Sequence, residues 1–550
     1  MPVPWRATKG GSSMSKNIRA ISARQHKNKT LFEALQQAAA GSGAPSHEQL
    51  RALAEERLVT PAVLLGTSSF YDFLRAENRG KRAYVCQGTS CMLSGRQRRV
   101  RAALEERFSE DEVGEINCLG HCYCGGAFQV GEAVFDDAHG LETEGSSGAV
   151  PFYPVAATAM FADEGSDVEA LYQTAFLAPE RVMQELSDSR LRGRGGAGFY
   201  FSRKLTACAN APAGQKYVVC NADEGDPGAF SDRYLLEQQP HRVLAGMLAA
   251  GLAAGADSGI VYLRAEYPLA LARVREAIQA FEQTSAFEKS GFHFRIVRGA
   301  GSYICGEETA LLNSIEGLRP EVRTRPPYPV QEGLYDRPTL LSNVETFAAV
   351  PWILQQGGKA FAAIGTEKST GTKLVSLDHG FNRPGVYEVE MGTALQQIIA
   401  EHAGGFRTDA KAVQVGGPLG GVVPVEKIAS LTLDFESLAE EGFMLGHAGI
   451  VAIPQHFPMI KFLRHLFSFM AGESCGKCLP CRLGTEKGRT LLKQATAENP
   501  VDSGVFADLL ETLELGSLCG LGGGLPLPVR NILTHFQEEV SVYFSQEQRQ

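Results

Sequence analysis

No run of apolar residues in this sequence is long enough to cross a bilayer. The longest uncharged stretch, "VLAGMLAAGLAAGA" at 243–256, has 14 residues, short of the roughly 20 that a spanning helix needs. Its many small residues predict a buried helix instead. The first thirty residues are polar and basic and lack the apolar h-region of a secretory signal; Met14 offers an alternative start. Positive charge is not in excess either. Lys and Arg number 53 against 62 Asp and Glu, a net charge of −9, so nothing asks for nucleic acid as a partner. There is no long internal repeat, no molybdopterin signature, no nickel site and no run of ferredoxin cysteines after Cys519. The expectation is a soluble, cytoplasmic protein without direct membrane insertion.

What is present is the composition of a large α/β protein. The chain has 550 residues, 44% of them hydrophobic, and 60 glycines, which suits several domains. Residues 1–80 read as an N-terminal tail and helical segment, and 81–140 as a small α/β domain with a hairpin around Gly131-Glu132. A linker is expected over 141–179. From 180 to 365 helices alternate with strands such as "KYVVCNA" and "GIVYLRAEY", as in a parallel sheet. Residues 366–438 suggest a small β-grasp-like unit, and 439–550 a helical domain.

Eight of the 12 cysteines fall into two spaced groups. In a long chain without a signal peptide, clustered cysteines more often bind metal than form disulfides. The first group is Cys86-x4-Cys91 with Cys118-x3-Cys122, each pair beside a predicted strand end. Four thiolates from two glycine-bearing loops suit a [2Fe–2S] centre. Cys124 reads as a bystander. The second group is "GESCGKCLPCRLG", with Cys475, Cys478 and Cys481, completed by the remote Cys519 of "LGSLCGLGGG". Three close thiolates and one distant one suit a [4Fe–4S] cube. Zinc also takes four thiolates and is the competitor at both places.

The centre of the chain is punctuated by glycine. "LRGRGGAGF", 191–199, has four glycines and two arginines, residues that let a backbone approach a phosphate and neutralise it. It is not the dinucleotide fingerprint. Lys204 follows nearby. "VVCNADEGDPGAFSDR", 218–233, bunches Asn221, Asp223, Glu224 and Asp226 at a strand end, where α/β sheets hold ligands. "GAGSYICGEETALLNSIEG", 299–317, adds Tyr303, Glu307 and Glu308. Each alone reads equally well as a solvated loop; jointly they look like one nucleotide pocket.

Together, "GRGGAGF", "NADEGDPGAF", "GAGSYICGEETALLNSIEG", "PPYPVQEGLYDRPTLLSNVETF", "ESCGKCLPCR" and "SLCGLG" resemble, in order, the flavin subunit of respiratory complex I and its soluble relatives, over about 180–550. Residues 30–136 resemble that family's separate thioredoxin-like [2Fe–2S] subunit, here fused to it. The resemblance implies an α/β multidomain chain: a thioredoxin-like [2Fe–2S] domain, a Rossmann-like FMN domain, a β-grasp domain of the soluble-ligand-binding type and a C-terminal helical [4Fe–4S] domain. It implies FMN held by Gly193, Arg194, Gly195, Lys204, Asn221, Asp223, Glu224, Tyr303, Gly306, Glu307 and Asn343. NAD(H), the substrate, would stack beside Phe199 and Tyr328, with Asp226 and Glu308 lining its site. Departures from the family pattern are Tyr328 in place of Phe, Ala207 where some relatives have an aromatic, Ser342-Asn343 for a common Asn pair, and Asp226 for a longer Glu.

The implied activity is that of a diaphorase subunit, hydride passing between NAD(H) and FMN and single electrons to or from the clusters, with no side chain required as acid or base. Within the resembled family, the missing ferredoxin tail argues against the electron-bifurcating hydrogenase subunit and the fused [2Fe–2S] domain against ordinary complex I. Of the two partners that remain, the expectation is the beta subunit of an NAD-dependent formate dehydrogenase, partnered by a catalytic subunit with molybdenum- or tungsten-pterin, although no single residue decides it. The flavin subunit of an NAD-reducing [NiFe] hydrogenase and the complex I NADH dehydrogenase module are alternatives. A zinc-binding structural or scaffold subunit is the non-enzyme alternative.

Overall fold

The computed structural model describes residues 31–40, 43–136, 148–162 and 168–545. The tail of residues 1–30, with Met14, and parts of the expected linker lie outside them. Among the described residues no helix is long and apolar enough to cross a membrane.

Short helices lead in: Leu31–Ala39, His47–Arg57 and Pro61–Ser68. The second opens on a capping box in which Ser46 and Gln49 satisfy each other's backbone N–H groups. The small α/β domain follows. Its sheet runs Val113–Ile116, Ala83–Cys86, Phe128–Val130, Ala133–Phe135, with the first pair parallel and the rest antiparallel. The last pair is the hairpin expected around Gly131-Glu132. Helix Gln97–Glu105 turns Val100 and Leu104 onto the sheet and its arginines outward.

The central domain is a four-stranded, fully parallel sheet in the order His293–Arg298, Ser258–Leu263, Tyr217–Ala222, Thr339–Asn343. Its middle strands are near-continuous buried apolar runs, as parallel sheets covered on both faces require. Helix Pro240–Ala254, which contains most of the 243–256 run, is buried almost throughout. Gly246 is what lets it close on helix Val344–Gln356: a Cβ there would lie 1.9 Å from the Phe347 carbonyl oxygen.

The third sheet has six strands: Gly421–Pro424, Ala410–Val415, Gly449–Pro454, Thr372–Leu377, Gly385–Glu390 and Phe152–Pro154. Two of them lie outside the span read as the β-grasp unit. Gly449–Pro454, placed at the start of the helical domain by the sequence reading, sits in mid-sheet between Ala410–Val415 and Thr372–Leu377. Phe152–Pro154, in the expected linker, pairs with Gly385–Glu390 at the edge. A six-residue apolar run such as "GIVAIP" has no periodicity that separates strand from helix, and its pairing partners come from much earlier in the chain. Beyond it the fold is helical: Met459–Glu473, Leu479–Gln494, Ser503–Gly516, Gly520–Gly524 and Pro526–His535.

Candidate functional site

Strands Tyr217–Ala222 and Thr339–Asn343 end side by side at Asn221 and Asn343. Just beyond their carboxyl ends lies a cavity of about 350 Å³, where open parallel sheets place ligands. Seven chain segments close on it, four of which carry residues singled out in the sequence. Gly195 comes from the glycine-rich loop; Asn221, Asp223, Glu224 and Asp226 from the end of the first strand and the loop after it; Tyr303, Gly306 and Glu307 from the 299–308 loop; and Asn343 from the second strand. Gly195 packs so tightly that a Cβ would stand 3.0 Å from the Asn343 Cβ.

The cavity wall is polar and incompletely satisfied. Glu307 caps helix Glu308–Ile315 through Oε2, which accepts from the N–H groups of Thr309 and Ala310 at 2.9 Å each, while its Oε1 has no hydrogen-bond partner among the described residues. The same holds for Asp223 Oδ2, Asp232 Oδ1 and His447 Nδ1. Buried polar atoms left open in this way are expected where a polar ligand completes the site. Burial raises Asp223 well above the usual carboxylate range and also raises Asp226, whose Oδ1 accepts from the Tyr303 hydroxyl at 2.8 Å. Glu224 is lifted to about 7, first by burial and then by Asp232.

The sequence reading does not single out His447, Asp232, Leu419, Met444 or Leu521, which also line the cavity. Asp232 stands inside the "VVCNADEGDPGAFSDR" stretch. His447 lies in "LGHAG", a glycine-punctuated loop leading into a strand, and that punctuation is the available signal. His447 Nε2 is 3.2 Å from Asp232 Oδ2 and 3.7 Å from Glu224 Oε1. Burial works against a charged imidazole here, but Asp232, with Glu224 behind it, overrides that and raises His447 to about 9.

The remaining flavin and nucleotide candidates stand around this cavity rather than on its wall. The Gly193 N–H donates to the Phe199 carbonyl at 2.8 Å and closes the glycine-rich loop. Arg194 is fully buried and turned into the protein, where its guanidinium donates to the Thr370 carbonyl at 2.6 Å; burial lowers it to about 10. Lys204 Nζ donates to Glu308 Oε2 at 2.8 Å, and Arg325 lies 3.3 Å from the other oxygen of the same carboxylate. Phe199 and Tyr328 are 49% and 53% exposed, large aromatic surfaces left open to solvent.

Both cysteine groups are gathered, and every cysteine of the chain is unpaired by disulfide. Cys118 and Cys122 have their sulfurs 3.8 Å apart. Hydrogen bonds from Cys122 and Cys86 draw the Cys118 thiol well down, while the Cys118 contact pushes Cys86 and Cys122 up. Backbone N–H groups of Gly120 and Gly228 point at Cys118 and Cys122 at 3.4 and 3.2 Å. Four buried thiols with amide donors directed at sulfur fit a [2Fe–2S] cluster. Cys124 faces its own loop, its sulfur 2.9 Å from the His121 carbonyl oxygen. In the second group, Cys481 feels Cys478 and Cys475, and Cys519 feels Cys475 and Cys481, each thiol being raised first by burial. The residues after Cys519, Gly520 and Leu521, line the cavity; the [4Fe–4S] candidate loop therefore forms part of its wall.

Arg264 fastens the first cysteine loop to the cavity loop. It is buried, donates to the Cys118 carbonyl at 2.5 Å and to the Glu224 carbonyl, and pairs with Glu266 at 2.9 Å.

Three family models match the chain. Residues 186–352 match the Nuo51 FMN-binding domain, 461–543 the NADH-ubiquinone oxidoreductase-F iron-sulfur binding region, and 18–144 the thioredoxin-like [2Fe-2S] ferredoxin. Both cysteine groups lie inside iron–sulfur regions, which removes the zinc alternative. The chain is 40% identical over 376 residues to an F-type chain of the NADH-quinone oxidoreductase of Rhizobium meliloti, covering 66% of this chain and 88% of that protein. It is 35% identical over 530 residues to the NAD-reducing hydrogenase HoxS subunit alpha of Cupriavidus necator, covering 87% and 86%. A solved NAD+-reducing [NiFe]-hydrogenase in the H2-reduced state superposes with a TM-score of 0.84 at 29% identity, covering 94% of each chain.

Proposed function

Because the chain belongs to the family of NADH-dehydrogenase flavoprotein subunits that includes the F-type chains of NADH-quinone oxidoreductase and their NAD-reducing hydrogenase counterpart, we propose that it is the diaphorase subunit of a multi-subunit complex, with the cavity beyond Asn221 and Asn343 as its flavin site. The observation that carries this reading is the convergence of glycine backbone, unpartnered buried carboxylate atoms and the Cys519 loop on one cavity.

Bound FMN supplies the exchange between hydride chemistry and one-electron transfer. The side chains around it bind and orient. Asn221, Asp223, Glu224, Tyr303, Glu307 and Asn343 hold the cofactor against the glycines at 193, 195 and 306. Lys204, fixed in place by Glu308, would offer positive charge to the cofactor's phosphate. Phe199 and Tyr328 offer the faces on which a nicotinamide stacks, and Asp226 and Glu308 line that approach. Cys86, Cys91, Cys118 and Cys122 ligate the [2Fe–2S] cluster; Cys475, Cys478, Cys481 and Cys519 ligate the [4Fe–4S] cluster.

Electrons leave through a partner docked beside the second cluster. Leu479, Leu483 and Leu515 are 58%, 59% and 77% exposed; they flank Cys478, Cys481 and Cys519 in sequence, and apolar surface of this kind marks a protein interface. The terminal partner is a separate metal subunit. A molybdenum- or tungsten-pterin formate dehydrogenase is one reading, resting on the fusion of the [2Fe–2S] domain to the flavin domain. A nickel–iron hydrogenase is favoured by the end-to-end likeness to the hydrogenase chain.

The test is anaerobic purification of the complex from its native host, with visible spectra before and after NADH and with flavin and metal analysis. FMN, iron and bleaching by NADH support the diaphorase reading, and molybdenum or tungsten against nickel selects the partner. A preparation without flavin that does not respond to NADH overturns it.

A further inference from the structure

The cavity wall carries five carboxylates, Asp223, Glu224, Asp226, Asp232 and Glu307, and among its described residues one side chain that can be positive, His447. Lys204, the cation expected at the flavin, lies outside the wall and is paired with Glu308. On the wall itself, His447 is therefore the one ionisable counter-charge for an anionic cofactor, while Lys204 stands outside it.

His447 is held firmly. It is buried, and its Nε2 faces Asp232 Oδ2 at 3.2 Å. Asp232 is itself fixed by Asn343 Nδ2, which donates to the same oxygen at 2.5 Å. The backbone on either side is left-handed, with φ 53° at Gly446 and 64° at Ala448. For alanine that conformation is costly, and strain retained beside a ligand cavity points to a positioned residue. Glu224 cannot make the group a metal site. Its carboxylate already accepts from the N–H groups of Asp232 and Arg233 and from the hydroxyls of Ser231 and Tyr267. The atom left over is His447 Nδ1, which has no hydrogen-bond partner among the described residues.

A hydride brings two electrons and one proton, so the flavin that accepts it becomes more negative by one charge. We infer that His447, a residue of the cavity wall, supplies the counter-charge for the reduced cofactor: its charged ring, with Nδ1 buried and unpartnered among the described residues, stabilises the negative charge that reduction adds, and so sets how much more tightly the site holds reduced than oxidised flavin. This rests on the assignment of the cavity to FMN and adds a determinant of its potential.

The test compares two dissociation constants, for oxidised FMN and for photoreduced FMN, in the flavin-depleted complex reconstituted anaerobically. The native protein is measured first; failure to bind either form overturns the flavin assignment and this inference with it. His447→Gln removes the charge and leaves Asp232 unopposed. The expected result is a tenfold or greater loss of preference for reduced FMN, about 30 mV on a two-electron couple, with His447→Lys restoring most of it. Equal weakening of both forms, or an unchanged ratio, makes His447 merely structural and overturns the inference. If the Gln variant does not fold, Asp232→Asn, which removes the group that holds the imidazole charged, carries the same comparison with the same two outcomes.

Discussion

Gly228 donates its backbone N–H to Cys122 Sγ at 3.2 Å, a hydrogen bond that joins the cavity loop of the central domain to a cysteine of the thioredoxin-like domain. With Arg264 bridging the Cys118 and Glu224 carbonyls, it makes the first cysteine loop and the cavity loop a single bonded unit. Gly228 has φ +108°, and a Cβ there would meet Val451 Cγ2 at 2.6 Å.

Gly228→Ala is therefore expected to disturb the [2Fe–2S] centre and leave the other cluster intact. The strained backbone alone costs on the order of 1–3 kcal/mol. Electron paramagnetic resonance of the reduced protein should show an altered or missing [2Fe–2S] signal beside a normal [4Fe–4S] one. Two unchanged signals would show that the amide contact does not matter.

The family resemblance sets Arg194 at the flavin, but its guanidinium is bonded to the Thr370 carbonyl inside the protein. Arg194→Met is expected to destabilise the fold by roughly 2–4 kcal/mol, through lost bonds in a buried polar network. FMN affinity in the surviving folded fraction should change less than about threefold, under 1 kcal/mol. A large loss of affinity without loss of stability would show that Arg194, whose buried Nη1 has no hydrogen-bond partner among the described residues, acts at the flavin.

Charge on the exposed leucines separates catalysis from assembly. Leu483→Glu with Leu515→Glu is expected to leave NADH-driven reduction of a soluble dye within about twofold of the native rate. Co-purification of the partner and NADH-linked turnover of the whole complex should drop at least about tenfold, as when a buried interface anchor is lost. Retained assembly would place the electron exit elsewhere.

The His447–Asp232 pair predicts a pH dependence of stability. Burial lowers the imidazole, Asp232 raises it more, and the outcome is about 9, above the ordinary 6.5. A group raised on folding contributes stability that is complete below the unfolded value and is lost as pH rises through the folded one. The difference in melting temperature between the native protein and His447→Gln should be largest near pH 6, shrink from about 6.5 onward and be gone above about 9. A difference that stays constant across that range would mean that the ring is not held charged.

The chemistry-bearing stretches are legible in the sequence because each is local. Cysteine spacing, glycine punctuation and the carboxylates after "VVCNA" can be read within a dozen residues or so. Their convergence on one cavity follows from parallel strand ends, which periodicity suggests. Other features are hidden by distance. His447 enters the cavity through a strand whose neighbours lie far away in sequence, and a lone histidine in a glycine loop carries no periodic signal. The orientation of Arg194 is decided by Thr370, 176 residues on, which no local pattern contains.

The strand Gly449–Pro454 sits between two strands that precede it in the chain. During synthesis, Thr372–Leu377 and Ala410–Val415 must each wait with one edge open until residue 454 clears the ribosome, because this shared neighbour does not exist before then. The loop that carries His447 is drawn into place only when this late strand inserts. The cavity thus acquires its His447 wall, and later the wall at Gly520 and Leu521, only after most of the chain has been made, and a nascent chain halted before residue 449 would present two open sheet edges in place of a cofactor site.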